Sequence, residues 1–183
     1  ENYPVLGDSG RALCEVETQS TRPDAQYHPL VESDDFSEWN PEQKRLFGTF
    51  GWKSCWQFNH EPELSWIEND AEKGCLRMVC RKQCKNVTQA VNTITQRMKF
   101  PVCITEVTVD AEGIKDGDYA GMCALQGCYG IAAVTKRDGQ MLLVMRSLEA
   151  EYDSIEGNQG NSEEIEWEAV AVESSKIRIR MEA

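Results

Sequence analysis

Ile131-Ala132-Ala133-Val134-Thr135-Lys136-Arg137-Asp138-Gly139-Gln140-Met141-Leu142-Leu143-Val144-Met145 carries two apolar runs on either side of a polar tip. Asp-Gly accepts the positive backbone angles of a tight turn, so the stretch reads as two antiparallel strands joined at Asp138-Gly139. Upstream, Tyr119 to Gln126 and Cys128 to Thr135 read as short strands rich in small residues, entered through the turn Lys115-Asp116-Gly117-Asp118. Thr93 to Met98 and Val102 to Val109 are rich in β-branched residues, which suit a pleated surface. Leu76, Met78 and Cys80 alternate with Arg77, Val79 and Arg81, the period of a strand with one buried face. Downstream, Ile177, Ile179 and Met181 alternate with Lys176, Arg178 and Arg180. Many short strands with turns roughly every 8 to 12 residues, and no convincing helix, predict an all-β sandwich or barrel.

Two segments set the end of the chain, Ile165 to Val172 and Lys176 to Glu182. A direct hairpin through Glu173-Ser174-Ser175 would set Glu168 against Arg180 on the wet face and Trp167 against Met181 on the buried one. Sandwich topology offers the alternative that the chain crosses between sheets there. The polar stretch from Glu149 to Glu164 reads as a loop, as does Pro41 to Phe50.

At 183 residues, 40% of them apolar, the chain suits one well-formed core. Residues 1–30 read as an extended linker and residues 31–183 as the compact domain. No run approaches the roughly 20 apolar residues of a membrane-spanning helix, so no membrane partner is expected. A net charge of −12 without a basic stripe argues against nucleic acid and is compatible with a neutral polysaccharide. Of the eight cysteines, Cys75, Cys80 and Cys84 are spaced C-x4-C-x3-C, and Cys123 and Cys128 C-x4-C. Neither spacing matches a zinc knuckle, and His28 and His60 are the only histidines. Scattered reduced thiols in a cytoplasmic protein, with no metal and no cofactor, is the reading carried forward; disulfides and a metal site are its alternatives.

Enzyme signatures are lacking: there is no G-x-S-x-G elbow, phosphate-binding loop, H-E-x-x-H or dinucleotide fingerprint. A glycosidase needs two carboxylates about 5 to 10 Å apart, a condition that 31 acidic residues can always meet on paper. The pair Asp34-Asp35 reads as a solvated turn. The informative stretch is Trp52-Lys53-Ser54-Cys55-Trp56-Gln57-Phe58-Asn59-His60-Glu61-Pro62, with Trp66 close behind. Rings that stack on sugar faces lie beside amides and an imidazole that bond hydroxyls. Alternatively, Trp52, Trp56 and Phe58 alternate into the core while Asn59 and His60 serve a turn.

Three separated stretches resemble the C-terminal domain of family-43 β-xylosidases. Trp56 to Pro62 is similar to that family's QWNHNP, Ala90 to Arg97 to its ARNTLTQR, and Ile114 to Gln126 to its MKDGDYAGLxxFQ. Tyr129-Gly130 matches the YG that opens the following strand. The likeness covers about residues 30 to 181, with Tyr3-Pro4-Val5-Leu6-Gly7 similar to the exit strand of the catalytic propeller. The resemblance implies a two-layer antiparallel β-sandwich of the concanavalin A-like jelly-roll kind, belonging to a bacterial xylan-degrading glycoside hydrolase. It further implies that the catalytic carboxylates lie in a separate β-propeller, which this domain packs against and whose pocket it shapes. No catalytic residue is then expected here. Trp56, Asn59, His60 and Arg97 are the residues expected to face carbohydrate or the propeller interface. A free-standing module for xylan or xylo-oligosaccharide is the alternative. Family members continue past the stretch matching Ile177 to Arg180 with another strand pair and a late loop, so the sandwich is expected to be incomplete at its C-terminal end or completed by another chain.

Overall fold

The computed structural model describes residues 29–40, 51–149 and 163–183. The readings of residues 1–28 as linker and exit strand, of 41–50 as loop, and of the polar loop over 150–162 lie outside the described residues. Among the described residues, ten strands run in chain order: β1 (Gln57–Phe58), β2 (Ile67–Asp70), β3 (Cys75–Met78), β4 (Ile94–Thr95), β5 (Ile104–Asp110), β6 (Tyr119–Gln126), β7 (Cys128–Arg137), β8 (Gln140–Leu148), β9 (Ile165–Ala171) and β10 (Lys176–Glu182). Helical geometry among the described residues is confined to single 3-10 turns at Leu64–Trp66 and Val87–Gln89. The molecule is an all-β antiparallel sandwich.

Its centre is a four-stranded antiparallel sheet in the order β6-β7-β8-β9. The β7–β8 hairpin closes between Arg137 and Gln140. Asp138 and Gly139 at its tip have φ of 51° and 79°, the left-handed conformation the turn demands. Val134 and Thr135 are neighbours in β7, and both are fully buried. Neighbours on a strand point to opposite faces, so this sheet is covered on both sides at its middle. On one face β5 and β10 pair with each other and pack across β6, where the Thr105 hydroxyl donates to Met122 Sδ at 3.3 Å. Ile179 of β10 is buried there, while Lys176, Arg178 and Arg180 stay exposed, as the alternation predicts. The opposite face buries Tyr129, Ala133, Val144 and Leu148.

The direct β9–β10 hairpin does not form. β9 pairs with β8 and β10 with β5, so the chain crosses between sheets at residues 172–175. Arg180 therefore lies opposite Glu106 instead of Glu168. Trp167 is 59% exposed and does not meet Met181. The reason lies in the partners: β8 offers β9 an apolar edge, and β5 offers β10 a ladder of seven pairs from Lys176↔Asp110 to Glu182↔Ile104. Between Met145 and Arg146 the β8–β9 register slips, Met145 facing Glu168 and Arg146 facing Glu166, which leaves Trp167 as the extra residue of a β-bulge.

The strand read through Leu76, Met78 and Cys80 stops at Met78, and Met78 and Cys80 are exposed. The strand read over Thr93 to Met98 shrinks to two residues. Both belong to small pairs, β2–β3 and β1–β4, that are two-stranded among the described residues.

Candidate functional site

β1 and β4 bring the first two family-like stretches together. Gln57 faces Thr95 and Phe58 faces Ile94, and the Asn59 backbone N–H donates to Thr93 O at 3.0 Å. Two residues of ladder cannot hold this pair alone. Side chains do it instead. Gln96 is bonded twice to Glu32, accepting from its backbone N–H at 3.1 Å and donating to its carbonyl at 3.0 Å. Asn92, buried and left-handed at φ 63°, accepts from Glu63 N–H at 2.9 Å and donates to Glu63 O at 3.0 Å. An amide matches a peptide group in both donor and acceptor, so each side chain stands in for a missing strand neighbour.

Trp56 is half-buried. Its ring stacks on Phe36 with centroids 5.6 Å apart, and its indole N–H donates to Asp34 Oδ2 at 2.7 Å. The Asp34 side chain is 1% exposed and also accepts from Phe36 N–H at 2.9 Å. The solvated-turn reading thus fits exposed Asp35 and not Asp34, which is held at the edge of the Trp56 ring by those two donors. Trp52 is buried, tilts against Phe58 and donates to Asn69 Oδ1 at 3.0 Å.

Asn59, His60 and Arg97 are exposed. His60 Nε2 lies against the carbonyl oxygen of Thr88, which can only accept, so that nitrogen carries the proton. The Asn59 amide lies 3.3 Å from that nitrogen; turned to place its oxygen there, it can share the same N–H. Arg97 pairs with no carboxylate among the described residues. Asn59 and His60 lie past one end of the two-residue ladder and Arg97 past the other. From Thr93, the bonding partner of Asn59, to Arg97 is four residues, at most about 13 Å of extended chain. The fold therefore gathers Asn59 with His60, sets Arg97 apart from them, and assigns Trp56 to the packing beneath.

The turn at Val87–Gln89 connects this surface to the third family-like stretch. While Thr88 accepts from His60, the backbone of Val87 lies near the hydroxyl of buried Tyr129. That hydroxyl donates to Glu164 Oε2 at 2.6 Å. Burial first, and the neighbouring Glu164 carboxylate second, push the Tyr129 phenol well above its ordinary range. Glu164 Oε1 sits 2.6 Å from Arg146 Nη1, and the Arg146 guanidinium lies 5.0 Å over the ring of Tyr119. The Glu164–Arg146 contact is close in distance and poor in angle, so Glu164 Oε1 and Arg146 Nε have no well-aligned hydrogen bond despite their burial. Arg137 forks onto both oxygens of Glu166, holding that carboxyl below its usual range. The sequence showed Tyr119 and Tyr129 only as letters within motifs, and gave no signal for Glu164, which lies at the edge of a polar loop.

Among the described residues, no group of three or more His, Cys, Asp or Glu side chains could hold a metal ion. Both glutamates of the Tyr129 cluster are pinned by arginine, which suits structure and not proton transfer. An open hollow of about 250 Å³ lined by Glu38, Trp39, Asn40, Gly51, Trp52 and Lys53 includes none of Trp56, Asn59, His60 and Arg97. What the surface around Asn59 and His60 can do is bond in fixed directions.

A scan of family models matches residues 47–183 to the β-xylosidase C-terminal concanavalin A-like domain. No curated protein matches. Among solved structures, a bifunctional GH43-CE protein of Bacteroides eggerthii is similar at 31% identity with a TM-score of 0.72, over 98% of this chain and 21% of that one. The chain thus spans about a fifth of the length of that protein. Matched over most of its length, and carrying the family-like stretches on β1, β4, β6 and β7, this chain belongs to the β-xylosidase C-terminal concanavalin A-like domain family.

Proposed function

We propose that this chain is the non-catalytic accessory domain of a xylan-degrading glycoside hydrolase, packing on a catalytic β-propeller and shaping its substrate pocket. The observation that supports it best is the contrast on the β1–β4 pair. Trp56, Asn92 and Gln96 are committed to internal partners, while Asn59 is exposed with its amide beside His60, and Arg97 is exposed with no ion pair among the described residues. An interface needs such groups on a rigid base, and Gln96 and Asn92 supply the base. The match to a β-xylosidase C-terminal domain supports both the sugar class and the neighbouring catalytic domain. A bacterial cytoplasmic setting is part of the same reading, in keeping with free thiols at Cys55 and Cys103, both buried.

The direct experiment compares two preparations on aryl xylosides and arabinosides. The isolated chain should show no turnover above a mock purification, while the full-length parent should turn over and lose activity when Asn59 or Arg97 is replaced by alanine. Turnover by the isolated chain would refute the accessory reading.

A further inference from the structure

We infer that Trp167 and the row of small residues beside it form a stacking site for a neutral, xylan-type pyranose chain, separate from the β1–β4 surface. The strand registers set the row: Ala124, Gly130, Ser147 and Ile165 lie side by side across β6, β7, β8 and β9. They share a face with Met122, the side on which β5 packs. A methyl group built on Gly130 would touch nothing within 4 Å, so the floor of the row is open. At its β9 end the bulge projects Trp167, whose indole N–H donates to Ser147 Oγ at 2.8 Å. A tryptophan 59% exposed is ordinarily free to rotate; this one is tied at its polar end, with its apolar ring presented to solvent. The exposed carboxylate of Glu168 follows it on the same face as Met145.

A fixed ring beside an open floor, with a carboxylate and a hydroxyl at hand, fits the apolar face and equatorial hydroxyls of a pyranose. The competing occupant is a second copy of the chain, pairing along the edge of β9, which has no further strand partner among the described residues. Charge opposes it: antiparallel self-pairing centred on Trp167 sets Glu166 against Glu168, pairing centred on Glu168 sets that residue against itself, and each copy carries −12. A neutral ligand meets no such repulsion. The class of sugar rests on the family of the chain; the place of the site rests on the geometry.

Titration calorimetry of the whole chain with xylohexaose tests the site. Saturable binding in the micromolar to millimolar range is expected, weakened about tenfold or more by Trp167→Ala. Gly130→Val, a residue at home in a strand, fills the floor and should weaken binding comparably while the thermal midpoint is kept. Trp39→Ala, at another exposed tryptophan, should bind as the unaltered chain does. Absence of saturable binding, or equal affinity in both Trp167→Ala and Gly130→Val, overturns the site. So does a dimer by light scattering that Trp167→Ala converts to monomer, which would make the patch a protein contact. The catalytic domain takes no part in the titration, so failure here leaves the docking reading standing.

Discussion

The Tyr129 hydroxyl donates to Glu164 Oε2 at 2.6 Å, and that bond joins the start of β7 to the residue just before β9, 35 positions away. The same phenol is buried beside the backbone of Val87, in the turn whose Thr88 carbonyl meets His60. Tyr129→Phe keeps the ring and deletes the bond to Glu164. Hydrogen bonds to charged groups contribute about 1.5–3 kcal/mol, so a loss of about 2 kcal/mol is expected by chemical denaturation with an unchanged m-value.

The same phenol gives an alkaline signature. Its pKa is raised in the folded state, so its stabilisation is whole below the unfolded value of about 10 and is lost as pH rises through the folded value. Stability should therefore fall from about pH 10 upward, and Tyr129→Phe should flatten that limb. Glu106 and Glu166 act at the other end, both lowered chiefly by hydrogen bonds from arginine. Their contribution is present above the ordinary carboxylate range and vanishes as pH falls through their depressed values. Arg137→Gln should move the acid unfolding midpoint to higher pH; an unmoved midpoint would show that the fork is inert.

Gly121 of β6 faces Ala133 with no room for a side chain. A Cβ there would lie 2.2 Å from Ala132 O and 2.5 Å from Ala133 Cα, both backbone atoms. Gly121→Ala must part the β6–β7 ladder, and overpacking of this kind costs about 1–3 kcal/mol. Gly139→Ala strains only a turn at φ 79° and should cost less, about 1 kcal/mol. Thermal unfolding of the two variants gives the order.

Trp56→Phe removes the donor to Asp34 while keeping the stack on Phe36. The buried carboxylate keeps the Phe36 N–H and Lys53 but loses its side-chain donor, for which about 1 kcal/mol is expected. Asp34→Asn alongside should recover part of the loss, and strict additivity of the two changes would show that they do not interact.

The central sheet was legible because its signals are local. Asp138-Gly139 dictates its own turn, and strict alternation in Lys176 to Glu182 leaves little choice of face. Partner choice was not legible. Nothing in Glu173-Ser174-Ser175 tells a hairpin turn from a crossing between sheets, since the answer lies in the edges that β5 and β8 offer far away in sequence. At the candidate site, residue type separated Asn59, His60 and Arg97 as polar and directional. It could not separate Trp56 as interior, because its partner Asp34 is 22 residues away in a segment that reads as loop.

The central claim, an accessory domain whose β1–β4 surface serves a catalytic partner, is tested most directly by Arg97→Ala in the full-length parent enzyme. Arg97 makes no ion pair among the described residues, so its removal should leave the thermal midpoint of the domain unchanged. The account predicts a fall in kcat/KM on xylo-oligosaccharides of about tenfold, equivalent to about 1.4 kcal/mol of lost transition-state stabilisation. An unchanged kcat/KM in a folded Arg97→Ala enzyme would contradict it.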